Sequence, residues 1–153
     1  MRVLLIATIA AIALFPWNGI AGETISEDQY QKIVGLALSN FWGKARVSDG
    51  SVVQSSDDIE RKTMPIPYAD AKRVIHHSLA AGMARWCEVD HEPYYLSYMA
   101  FERRKRTWSD KQLAFIGWLF GVAQGVAEGS LRKGEPCDDT LKARAMSTMR
   151  SNA

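Results

Sequence analysis

Three kinds of pattern are missing from this chain of 153 residues, and each absence removes a class of function. No stretch alternates β-branched and polar residues with period two, so no sheet is expected. There is no Gly-x-Ser-x-Gly, no glycine loop shaped to cradle phosphate, and no His-Glu-x-x-His. Nucleophile-elbow hydrolysis, nucleotide binding and zincin chemistry therefore lack their starting geometry. Charge of one sign is also scarce. Lys and Arg number 19 against 17 Asp and Glu, a formal net charge of +2. That is too close to balance to select nucleic acid or an anionic membrane as partner.

Cysteine is nearly absent, and the two that exist carry weight. Met1-Arg2 is a short positive start, Val3 to Phe15 is apolar and uncharged, and Asn18-Gly19-Ile20-Ala21 supplies small residues for cleavage after Ala21. Residues 1–21 thus read as a secretory signal peptide, and the apolar run is short of the ~20 residues a membrane span needs. Retention as an uncleaved anchor is the competing reading. No Leu-x-Gly-Cys follows, so lipid attachment is not expected. Residues 22–153 are enough for one domain with one core. In the oxidising compartment that export implies, Cys87 and Cys137 are expected to pair, closing a loop worth about 4 kcal/mol on the chain-entropy model. Paired cysteines are neither nucleophiles nor metal ligands.

What the chain does have is helical periodicity. Ser26-Glu27-Asp28-Gln29 has capping-box form, and Tyr30, Ile33, Ala37, Phe41 and Ala45 recur at helical spacing, predicting a helix over 27–45. A long polar connection follows over about 46–67, with a short helical turn near 57–62, and connections of that length are either mobile or functional. A second long helix is expected over 68–89, with Ala71, Ile75, Leu79, Gly82 and Trp86 inward. Pro93 opens a third, to about 106, burying Tyr95, Tyr98, Met99 and part of Phe101. A second capping box, Ser109-Asp110-Lys111-Gln112, starts a helix that runs to Lys133, with Gly134 as its stop. Asp138 caps a last helix over 139–150. The expected fold is all-α, a single-domain bundle of about five helices stapled by Cys87–Cys137.

The helix after Ser109 holds the most informative pattern. Gly117, Gly121, Gly125 and Gly129 stand four residues apart on one side, while Phe115, Ile116, Leu119, Phe120, Val122, Val126 and Leu131 fill the rest. Helix-interior glycine costs about 0.8–1 kcal/mol against alanine, so four cost on the order of 3–4 kcal/mol. The bare side should receive something close. The expectation is the 68–89 helix, through Gly82 and Ala80-Ala81; a ligand groove or homodimer face is the competing reading. Gln124 and Glu128 lie on or beside this side, and Glu128 with Arg132 has the favourable order for an i, i+4 ion pair.

Other chemistry is thin. His76, His77 and Cys87 are too far apart or point apart along one helix to share a metal, and only Asp90, His91 and Glu92 can converge, as a weak hard-ligand set. No metal, cofactor or catalytic residue is assigned. Asp57-Asp58 and Asp138-Asp139 read as caps. Arg103-Arg104-Lys105-Arg106 with Trp108 is the densest cationic segment; it suits an acidic partner, or simply offsets the negative end of a helix dipole. Trp42, Trp86 and Trp118 read as core anchors.

Ile116 to Gly125, followed by Pro136-Cys137 and a helix, resembles periplasmic immunity proteins that guard against secreted cell-wall amidases. The resemblance covers a short stretch. Those proteins place a cysteine near the start of the glycine-bearing helix and proline after the later cysteine, whereas Cys87 lies far upstream here and Pro136 precedes Cys137. No functional residue is carried over. Small periplasmic chaperones share the helical, one-disulfide plan. The reading that follows is a secreted or periplasmic protein that binds another envelope or extracellular protein, or a second copy of itself. It has no nucleic-acid partner and no stable membrane span after signal cleavage. The alternative is an envelope enzyme with an acid/base site between the 68–89 helix and the glycine-bearing helix, using Glu88, Glu128 or His76.

Overall fold

A computed structural model describes residues 25–134 and 136–151; the expected signal segment, 1–21, and the expected cleavage after Ala21 lie outside the described residues. Six helices follow one another: α1 Glu27–Phe41, α2 Asp58–Lys62, α3 Tyr68–Trp86, α4 Glu92–Arg104, α5 Asp110–Leu131 and α6 Asp139–Ser151. Among the described residues the one β-type pairing is an isolated bridge, Arg46 to Val52. The fold is an all-α, single-domain bundle.

Both capping boxes form. The Ser26 hydroxyl accepts the Gln29 amide at 3.3 Å while the Gln29 side chain takes the Ser26 amide at 2.8 Å. Ser109 and Gln112 repeat the exchange at 3.3 and 2.9 Å. Each pair satisfies two backbone donors that a helix start leaves orphaned.

Helix ends depart from the periodicity where a backbone turn intervenes. α1 stops at Phe41 rather than 45, because Gly43 turns into the left-handed region at φ 77° and gives its amide to the Val53 carbonyl at 2.9 Å. α3 stops at Trp86 rather than 89, with Glu88 at φ 57° and the Val89 amide reaching back to Ala84 at 2.8 Å. The polar 46–67 connection is also more ordered in its packing than its composition suggests. Val53 and Ile66 are buried in the common core. The Trp42 indole donates to the Arg61 carbonyl at 3.0 Å, and the Gln112 side chain donates to the Pro65 carbonyl at 2.9 Å. Two apolar anchors in a polar stretch suffice to fold it down.

α3 and α5 form the central pair, with α1 on α5 and α6 on α3. Their contact is close because small residues meet. Gly82 of α3 faces Ala127 and the backbone at Gln124 and Glu128, and Ala80, Ala81, Ala84 and Ala123 are all buried nearby in sequence. Phe41 and Phe115 meet edge to face at 5.0 Å, and the Trp118 indole donates to the Ala37 carbonyl at 3.0 Å. Cys87 and Cys137 are joined, with Cα atoms 5.3 Å apart. The bond fastens the end of α3 to the start of α6.

Candidate binding groove between α4 and α5

The glycine row does not do what its spacing predicts. A methyl group built on Gly121, Gly125 or Gly129 meets nothing within 4 Å, and all three residues are exposed. The close approach to α3 is made from the other side, by Gly82 against the Ala123–Ala127 stripe. Positions 123 and 125, like 127 and 129, differ by two residues and so by about 200° around the helix. The buried alanines and the bare glycines are therefore on opposite faces. The expected packing of the row against the 68–89 helix is corrected: α3 has its own glycine for that purpose, and the row on α5 is an outward face.

Gly117 is the exception within the row. A methyl group there would lie 3.1 Å from the Tyr95 hydroxyl and 3.5 Å from the Met99 methyl. Tyr95 thus lies across α5 at its only contacted glycine of the four. It is half-buried, with Tyr94, Tyr98 and Met99 the buried apolar members of α4 and Phe101 50% exposed. The expectation that Tyr95 is buried is corrected by one position, to Tyr94.

On either side of Tyr95 and Gly117 lies an open cavity, and both residues line both. The first, about 480 Å³, runs between the 44–48 segment, α4 and the start of α5; Lys44, Arg46 and Arg103 border it, with Asp110 the one carboxylate. The second, about 370 Å³, is bordered by Asp90, His91 and Glu92 before and at the start of α4, and by Phe120, Gly121 and Gln124 on α5. Together they form one groove along α4 and α5, basic at one end and acidic at the other, narrowed where Tyr95 crosses Gly117.

Two polar groups in the groove are unengaged. Gln124 is 7% exposed, yet its side-chain amide makes no hydrogen bond among the described residues and faces the acidic cavity. The Tyr95 hydroxyl likewise has no hydrogen-bond partner among the described residues. Neither is one of the enclosed polar atoms that lack a partner among the described residues, which are the Tyr68 and Tyr98 hydroxyls and the Arg73 Nε; the polar atoms of Gln124 open onto the cavity, where an incoming group can bond them. Of the three cations, Lys44 donates to Asn40 at 2.8 Å and Arg46 to the Gly50 carbonyl at 2.7 Å. None of the three is ion-paired among the described residues.

The basic run is divided by the fold. Arg103, Arg104 and Arg106 are exposed, and only Arg103 reaches the groove. Lys105 is committed to Glu102, with contacts of 2.9 and 3.0 Å, and the Trp108 indole donates to the same carboxylate at 2.8 Å. Lys105 and Trp108 therefore hold a core carboxylate rather than form a joint external surface with the arginines. Glu102 is 0% exposed and also lies 3.5 Å from Arg73. Burial works to raise its pKa, but the hydrogen bonds from Lys105 and Trp108, with the charges of Lys105 and Arg73, hold it below the ordinary value. Close by, His77 bonds the Tyr94 hydroxyl at 2.7 Å and lies tilted against the Tyr98 ring, with ring centroids 4.6 Å apart; burial, and then the positive Arg73, push its pKa down. The i, i+3 spacing of Glu102 and Lys105 was the available sequence signal for this cluster, and the flanking arginines concealed it.

The residues of the catalytic alternative are dispersed. His76 is hydrogen-bonded to Tyr30, Glu88 is exposed, and Glu128 is held between Arg85 at 3.0 Å and Arg132 at 2.8 Å. Neither cavity of the groove is bordered by any of them. Among the described residues no three His, Cys, Asp or Glu side chains gather as a metal would require, Asp90, His91 and Glu92 included. No described helix is long and apolar enough to cross a membrane. Comparison with known protein families, curated proteins and solved structures finds no match to this chain.

Proposed function

We propose that this chain is an exported protein that acts by binding another protein of the envelope or exterior, not by catalysis, and that the α4–α5 groove is its working surface. The observation that carries the reading is the exposed, contact-free Gly121 bordering the groove, a bare face that Gly125 and Gly129 continue along α5, beside the Gln124 side chain, which lines the same cavity and makes no hydrogen bond among the described residues. Exposed helical glycine is costly and stabilises nothing by itself. It is explained when the bare face must let another backbone come close. The disulfide supports an oxidising location. The separation of His76, Glu88 and Glu128 leaves the acid/base alternative without a shared site. Chaperone-like and immunity-type roles are both forms of such binding.

The test is affinity capture from the native envelope extract with the purified, oxidised protein, run beside Gly121→Leu. One stoichiometric protein should be retained by the wild type and lost with the folded variant. Equal capture by both, or reproducible turnover of a cell-wall or small-molecule substrate by the purified protein, would refute the reading.

A further inference from the structure

Resting on that reading, the groove also specifies the chemistry of its occupant. We infer that it receives an extended segment of a partner polypeptide, with a basic and an acidic side chain about five residues apart and a small residue between them. Three independent features point to a polypeptide. A glutamine amide offers one donor group and one acceptor, matching a peptide unit, which also offers one of each; Gln124 presents such an amide to the groove without a partner. The bare face of Gly121, which borders the acidic cavity, lets a main chain approach without meeting a side chain. Both cavities are open to the surface and share Tyr95 and Gly117, so a linear segment that crosses over Tyr95 reaches both.

The charges set direction and spacing. Asp90 and Glu92 border one end, and Lys44, Arg46 and Arg103 the other. Glu92 and Arg103 are eleven positions apart on one helix, hence about 16 Å along its axis. An extended chain advances about 3.3 Å per residue, so about five residues cover that length. Tyr95 lies three positions from Glu92, and its hydroxyl closes over Gly117. The segment must therefore be narrow where it passes Tyr95, nearer its basic residue than its acidic one. Glycine, alanine or serine fits that point. The Tyr95 hydroxyl, free of other bonds, can then meet the passing backbone.

The probe is a phage-displayed library of random twelve-residue peptides, selected on the purified, oxidised protein. Enriched sequences are then synthesised with blocked termini and titrated by fluorescence anisotropy against the wild type, Gly121→Leu, Gln124→Met and Arg103→Glu. Circular dichroism and urea midpoints confirm folding, and Gln124→Met covers the case in which Gly121→Leu fails to fold. Enriched peptides should share the spaced basic–small–acidic pattern. Gly121→Leu should abolish binding, Gln124→Met should weaken it about tenfold, and Arg103→Glu should weaken it about tenfold until the peptide's acidic residue is replaced by lysine. Peptides that depend on Gly121 but show no such pattern, or ignore Arg103→Glu, overturn the inference and leave the groove reading standing. Peptides that bind Gly121→Leu and Gln124→Met as well as wild type overturn both. Absence of any enriched peptide overturns the inference; if it comes with self-association that Gly121→Leu abolishes, the occupant is a second copy.

Discussion

Adding the same methyl group at two kinds of glycine should move stability in opposite directions. Gly→Ala in a helix interior gains about 0.8–1 kcal/mol when the new methyl meets nothing. Gly121 and Gly125 meet that condition, so the double alanine variant should gain on the order of 2 kcal/mol. For a domain of this size that is roughly 3–5 °C of Tm per kcal/mol. At Gly82 the methyl would lie 2.7 Å from the Ala127 Cβ and 2.7 Å from the Gln124 carbonyl oxygen. Neither atom is the end of a flexible side chain, so α3 and α5 must separate. Overpacking of that kind costs about 1–3 kcal/mol or more and outweighs the propensity gain. Urea titration of the oxidised proteins measures the difference, through the midpoint at constant m. The opposite order, with Gly82→Ala stabilised and Gly121→Ala with Gly125→Ala destabilised, would place the glycine row inside the bundle and refute the groove.

Reducing the disulfide, or replacing both cysteines by alanine, should lower stability by at most about 4 kcal/mol, read as a drop in the urea midpoint. Glu102→Gln should cost about 3 kcal/mol at neutral pH, because Lys105 and Arg73 lose the buried carboxylate between them. Glu102 is held below its ordinary pKa, and Glu60, mainly through its hydrogen bond from Lys111, is lowered to about 2. Groups depressed in the fold stabilise it fully above the unfolded value of about 4.3 and lose that contribution as pH falls through the folded value. Urea midpoints should therefore fall from about pH 4.5 downward, and less so in Glu102→Gln; an unchanged acid slope in that variant defeats the assignment. A shallower loss should start below about pH 6.5, where the neutral form of His77 is no longer retained in the unfolded chain; it should be missing in His77→Phe.

How far the sequence discloses this protein depends on the range of the signal. Ser26-Gln29 and Ser109-Gln112 act over three residues, and both helix starts fall where the text of the chain puts them. The Glu128–Arg132 pair spans one turn and is present as expected. The Cys87–Cys137 bond follows from having only two candidates. The outward glycine row does not follow. Its period shows that one side of a helix is bare, but which side faces α3 depends on where Ala123 and Ala127 meet Gly82, about forty residues away in the chain. Glu102 escaped for a related reason. Its surroundings in sequence are cationic and look solvated, and only the fold shows that Trp108 and Arg73 enclose it. The groove combines residues from 44–48, 90–103 and 110–124, so no local pattern could mark it.

The fastening of α6 separates two roles within one small molecule. That helix lies on α3 and is tied to it by the single sulfur link, while neither cavity of the groove includes any residue beyond Gln124. A reductant, or a protease acting on the tail, can therefore weaken the molecule's endurance without touching the surface that makes contact. The sulfur link then adds durability to a surface built from other parts of the chain.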